Sequence, residues 1–123
     1  MGNTVLIVDD SRVSRMMLSS FLKSITTDLT IIEAGNGQEA IEKAIEFKPS
    51  LVIMDINMPV MDGLSAVATL RPSMPSTTFV ILTANVQSSS REKAQKLGIH
   101  LLAKPITEAV AKEAFALWSH EHE

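Results

Sequence analysis

The sequence predicts an α/β domain built on a doubly wound, five-stranded parallel sheet with helices on both faces. Two observations predict it. Five short apolar runs recur without polar alternation, and segments with helical spacing separate them. A strand buried on both faces reads as a continuous run of Val, Ile and Leu, whereas a half-buried one alternates. Strand and helix taken in turn imply parallel pairing through right-handed crossovers. A chain of 123 residues, 46% of them hydrophobic, suits one compact domain over 1–123 with a single sizeable core.

The strands are expected at Val5–Val8, Thr30–Ile32, Leu51–Met54, Phe79–Leu82 and Leu101–Ala103. In the first helix Val13, Met17, Phe21 and Ile25 fall at steps of four. In the second, Ala40, Ile41, Ala44 and Ile45 follow i, i+1, i+4, i+5. A short third helix runs from Asp62, its N-cap, to Leu70. The fourth is expected from Asn85 to Leu97, stopped by Gly98. The fifth runs from the cap Thr107 to about His120. Its residues Val110, Ala114 and Leu117 make one apolar stripe, and Ala111, Phe115 and Trp118 a second. Arg71–Thr78, with Pro72 and Pro75, reads as a connector, and His120–Glu123 as a frayed polar end.

Composition narrows the class. With no Cys, disulfides and thiolate metal sites are excluded. The run Val5–Val8 meets two acids at once, which is neither a signal peptide nor a membrane span. Met1-Gly2 opens like a myristoylation site, but Leu6 stands where Ser or Thr is needed. A net charge of −3 favours neither nucleic acid nor an anionic membrane. The expected location is the cytoplasm.

In open α/β sheets the ligand sits beyond the carboxyl ends of the strands. Strand 1 ends in Asp9 and Asp10, strand 3 in Asp55, strand 4 in Thr83 and strand 5 in Lys104. Carboxylates brought together repel unless a cation or proton intervenes. An all-oxygen site suits Mg²⁺. Thr83 offers a hydroxyl and Lys104 a point charge for phosphate. Together these groups suggest phosphoryl transfer to an Asp nucleophile. The residues alone do not distinguish which Asp reacts.

The stretches Val5-Leu6-Ile7-Val8-Asp9-Asp10, Met54-Asp55-Ile56-Asn57-Met58-Pro59 leading to Met61-Asp62-Gly63, Leu82-Thr83-Ala84 and Lys104-Pro105 resemble the receiver domains of two-component response regulators. The likeness runs along nearly the whole chain, and is nearest to stand-alone regulators of the chemotaxis type. It implies the flavodoxin-like strand order 2-1-3-4-5 and a cis Lys104-Pro105 bond. It also implies that Asp55 accepts the phosphoryl group, with Mg²⁺ held by Asp9, Asp10, Asp55 and the Asn57 carbonyl. Thr83, the Ala84 amide and Lys104 would meet the phosphoryl oxygens. The domain would catalyse only its own phosphorylation and dephosphorylation. Implied partners are a sensor histidine kinase or histidine phosphotransfer protein, a downstream target or phosphatase, and a phosphorylation-dependent second copy. Helix 4, strand 5 and helix 5 would carry the output. One departure stands out: Leu101 occupies a position where receivers commonly have Tyr or Phe. Met1 just ahead of strand 1 and the polar end favour a stand-alone receiver.

Other signals compete. Gly35-Asn36-Gly37-Gln38-Glu39-Ala40 fits a dinucleotide fingerprint, with Asp55 at the spacing of a ribose-binding acid. A flavodoxin-like small-ligand or nucleotide domain is therefore the alternative. Two acids after strand 1 supply the wrong charge for a phosphate there, and two Gly with an Asn also make a plain tight turn. His100 and the His120–Glu123 run read as surface or packing residues, since positions two apart do not share a helix face.

Overall fold

In the computed structural model, residues 3–58, 60–84 and 87–122 are described. Five strands, β1 (Thr4–Val8), β2 (Thr30–Ala34), β3 (Leu51–Asp55), β4 (Thr78–Thr83) and β5 (His100–Ala103), alternate with α1 (Arg12–Ile25), α2 (Gly37–Phe47), α3 (Gly63–Leu70), α4 (Ser88–Leu97) and α5 (Glu108–Glu121). All pairings are parallel, in the order β2-β1-β3-β4-β5. The flavodoxin-like expectation holds. The central strands β3 and β4 are buried throughout, while β2 and β5, at the edges, are only partly covered.

The sheet divides two cores. On one face Leu18 and Leu22 of α1 and Ala111 and Ala114 of α5 pack on Val5, Ile7, Ile53 and Val80. On the other, small residues let α2, α3 and α4 approach closely: Ala40, Ala44, Ala66 and Ala94 lie over Leu6, Val52, Met54 and Ile81. Leu101 packs into this second core.

Local chemistry sets the helix ends. Ser11, Asn36, Asp62 and Thr107 each accept a hydrogen bond from an amide three residues on. Gly98 closes α4 in the left-handed conformation, φ 69°. The fourth helix begins at Ser88, later than expected; Asn85 and Val86 lie outside the described residues, as do Met1, Gly2, Pro59 and Glu123.

Three expectations need correction. Only the second half of the α1 stripe, Phe21 and Ile25, lies on the buried face, because Val13 is 65% and Met17 41% exposed. A step of four residues overshoots a full turn by about 40°, so such a stripe winds off the core. Leu18, Phe21, Leu22 and Ile25, at i, i+3, i+4, i+7, cover the sheet instead. Ile45 of α2 likewise faces solvent, for the same reason. On α5 the two expected stripes are both present and join into one wide face, where Val110, Phe115, Leu117 and Trp118 pack on the core while staying partly exposed.

The third correction is the end of the chain, which is tied down. Glu121 accepts a hydrogen bond from Thr78 Oγ1 at 2.6 Å and meets His100 Nε2 at 2.5 Å. His122 Nε2 lies 3.0 Å from the Ser76 carbonyl. Trp118 Nε1 donates to Ser50 Oγ at 3.0 Å. These contacts pin α5 to the amino edge of the sheet.

Candidate functional site at the carboxyl edge

Parallel pairing brings the carboxyl ends of β1, β3, β4 and β5 to one rim. Asp9 and Asp10 follow β1 directly, Asp55 ends β3, Thr83 ends β4, and Lys104 follows β5. Carboxylate oxygens of Asp9, Asp10 and Asp55 lie within 4.8 Å of one another. Lys104 Nζ stands 3.3 Å from both Asp9 Oδ2 and Asp55 Oδ1. One lysine against three carboxylates leaves two negative charges, a donor set and a charge that fit a hard divalent cation.

The acids are not equivalent. Asp9 and Asp55 are buried, whereas Asp10 is exposed. Asp9 is held at every polar atom. Its amide donates to the Ala34 carbonyl, its carbonyl accepts from Arg15 Nη1 at 2.6 Å, and its Oδ1 accepts from the Ser11 amide at 2.9 Å. Lys104 takes Oδ2. The Asp10 carboxylate makes no hydrogen bond among the described residues.

Burial, and then the Asp9 charge, push the Asp55 carboxyl above its ordinary range. The charge and hydrogen bond of Lys104 and the Asn57 amide counter this without reversing it. For Lys104, burial lowers the pKa, but Asp55 and Asp9 outweigh it and hold the ammonium above its usual value. The two acids thus hold Lys104 charged, while Lys104 only partly offsets what burial costs the Asp55 carboxylate.

Close backbone approaches shape the rim. A Cβ on Gly63 would lie 2.3 Å from the Asp55 carbonyl oxygen, so only glycine lets α3 start against the end of β3. A Cβ on Gly37 would lie 2.5 Å from the Met61 carbonyl oxygen. Gly35-Asn36-Gly37 is therefore a tight helix start against a neighbouring loop, with Asn36 as its cap. The Lys104-Pro105 peptide is cis, as the resemblance implied.

Of the residues expected at the site, Asp9, Asp10, Asp55 and Lys104 converge. Thr83 is buried on the neighbouring strand end, and Ala84 and Asn57 are exposed at the same rim. In this structure Asn57 presents its amide to Asp55. The chemistry does not follow cavity size. A cleft of about 790 Å³ between Ile45, Lys48, Met74 and His122 opens at the opposite edge. A smaller one of about 520 Å³, with Asn57, Asp62 and Lys93 in its lining, adjoins the acids. Sequence reasoning missed Arg15 and the spatial roles of Gly37 and Gly63. An Arg four residues after a Ser cap, just past two acids, was the only available hint.

A doubly wound domain with strand order 2-1-3-4-5 and three acids and a lysine at its carboxyl edge belongs to the flavodoxin-like class of α/β folds. The chain belongs to the response regulator receiver domain family, whose pattern matches residues 5–116. It is therefore the phosphorylation-activated switch module of two-component response regulators. It is 36% identical over 115 residues to the chemotaxis protein CheY of Thermotoga maritima, covering 93% of this chain and 95% of that protein. Over 85 residues it is 47% identical to a protein-glutamate methylesterase/protein-glutamine glutaminase of Methanosarcina acetivorans. That match covers 68% of this chain, which spans only about a quarter of the relative, 24% of its length. A receiver domain of Saccharomyces cerevisiae, solved with its histidine phosphotransfer protein, superposes with a TM-score of 0.84. It shares 26% identity, covering 97% of this chain and 90% of that one.

Proposed function

We propose that this single receiver unit takes a phosphoryl group onto Asp55 from a phosphohistidine donor and signals by changed protein contacts. The convergence of Asp55, Lys104 and two further acids carries this reading. An Asp55 carboxylate oxygen forms the new O–P bond as the donor's N–P bond breaks, and the electron pair leaves with the imidazole. Lys104 is placed to hold Asp55 ionised and then to pair with a phosphoryl oxygen. Thr83 and the Ala84 amide meet the other oxygens. Asp9, Asp10, Asp55 and the Asn57 carbonyl would hold Mg²⁺, which would supply positive charge beside the transferring group. Such transfer needs mainly positioning and charge stabilisation, which this rim supplies. Hydrolysis of the acyl phosphate returns the resting state.

The donor is a sensor histidine kinase or a histidine phosphotransfer protein. Exposed Val13 and Met17 sit on α1 just beyond the acids, and an apolar patch there suits a docking protein. The yeast neighbour was solved with such a partner. The output surface is α4, β5 and α5, where Lys93 and Lys96 are exposed beside the acid rim. Phe115 and Trp118 of α5 pack against the core and stay partly exposed beside that surface. Its partners are a downstream target, a phosphatase or a second copy, in a chemotaxis-type pathway. No helix among the described residues is long and apolar enough to cross a membrane, and we place the protein in the cytoplasm.

Incubation with Mg²⁺ and acetyl phosphate, read by intact mass, tests the assignment. Wild type should gain one phosphoryl group, EDTA should abolish the gain, and Asp55→Asn should gain none. Labelling of Asp55→Asn would refute the site.

A further inference from the structure

Arg15 has no place in the chemistry just described, yet its guanidinium lies directly behind the acids. Its side chain is only 18% exposed. Nη1 donates to the Asp9 carbonyl at 2.6 Å, and Nε donates to Glu33 Oε1 at 2.9 Å. Glu33 is on β2, and its own carbonyl accepts from Lys43 Nζ at 2.6 Å. Gly35 passes over the guanidinium, where a Cβ would lie 3.7 Å from Nη1. Helix α1, the end of β1 and strand β2 are thus joined through one planar fork.

The Asp9 carbonyl belongs to the peptide that leads to Asp10. Fixing that oxygen fixes the peptide plane, and with it the position of the Asp10 Cα from which the side chain leaves. Asp10 is the least held of the three acids, exposed and without a side-chain hydrogen bond among the described residues. We infer that Arg15 is a positioning residue for the cation site, aiming Asp10 through the Asp9–Asp10 peptide. The inference rests on the proposed Mg²⁺ site. A fork that satisfies two acceptors at once has no equivalent in a lysine, whose ammonium is a point charge. Outer-shell groups of this kind typically hold a factor of about 10–100 in metal affinity.

The sign of the effect separates positioning from charge. A cation close to Mg²⁺ repels it, so removing Arg15 should tighten binding if charge were its whole contribution. Removing a positioning residue weakens binding. Calorimetric Mg²⁺ titration of wild type, Arg15→Met and Arg15→Lys carries the test, at a temperature where circular dichroism shows each folded. Arg15→Met should bind about tenfold more weakly. Arg15→Lys, which keeps the charge, should still lose several-fold, and it decides the matter if Arg15→Met does not fold. A purely structural role would lower the melting temperature and leave affinity unchanged. Wild-type affinity in the variants, or tighter binding by Arg15→Met, overturns the inference while the Mg²⁺ site stands. A wild type that takes no Mg²⁺ overturns both.

Discussion

Asp55 is buried beside another acid, and both facts disfavour its charge. A carboxyl whose folded pKa is raised costs stability at pH values above its unfolded value, where the charged form must be carried into the fold. Asparagine is nearly isosteric and carries no charge. Asp55→Asn should therefore melt a few degrees higher at pH 7, about 3–5 °C, with the gain shrinking as pH falls from the raised value and gone below the ordinary carboxylate range. Lys104 keeps Asp9 as a partner in that variant. Thermal melts of both proteins from pH 3 to 8 check this; a lower melting point at pH 7 would mean that the Lys104–Asp55 attraction outweighs burial. At this scale the site was legible in the sequence where a strand simply ended in a charged group. Asp9, Asp10, Asp55 and Lys104 needed only the strand order to bring them together. Arg15 and Gly63 were not legible, because their roles depend on which carbonyl lies a few ångströms away through space.

Among the elements, α4 is unevenly anchored. Its C-terminal end is held twice over: the Ile99 amide reaches the Ala94 carbonyl, and Arg71 Nε donates to the Leu97 carbonyl at 3.0 Å. Arg71 also bonds the carbonyls of Met74 and Pro75, so the irregular connector is itself braced. At the other end Gln87 gives no side-chain cap, and Ala94 is the helix's only buried residue. Few buried contacts mean a low local opening cost. Amides in the first turn of α4 should exchange faster than those near Leu97, and beryllofluoride should slow them. In Thr83→Ala that slowing should be lost, and a full response in the variant would remove Thr83 from signal transmission. Element existence was readable from runs and caps. Helix faces were less so, since Val13, Met17 and Ile45 satisfy an apolar count yet point to water.

Across the whole molecule the two sheet edges do different work. The carboxyl edge gathers unlike charges around a buried carboxylate, and the amino edge is closed by the end of α5. Glu121 binds Thr78, 43 residues away in sequence, which no local pattern could reveal. Burial raises its pKa, but the hydrogen bonds from Thr78 and His100 and the charges of His100 and His122 prevail, so it stays below its ordinary value of 4.5. A depressed carboxyl contributes stability that is present above its unfolded pKa and lost as pH falls through the folded one. The wild-type advantage over Glu121→Gln should therefore be full at pH 6 and vanish below the lowered value. An advantage unchanged by acid would show that the carboxylate is not the fastener.

Trp118 is the chain's one tryptophan, and there is no tyrosine. Its indole hydrogen-bonds Ser50 at the amino edge and stacks near Phe115 and His122, with ring centroids 5.3 and 5.6 Å away. The intrinsic fluorescence of the protein is consequently a lamp at the wrong end of the room. It will brighten or fade with the closure of α5, and its emission should track the acid release of Glu121. The proposed cation and phosphoryl site lies at the opposite rim, so a direct optical report on events there needs a second fluorophore placed near α4.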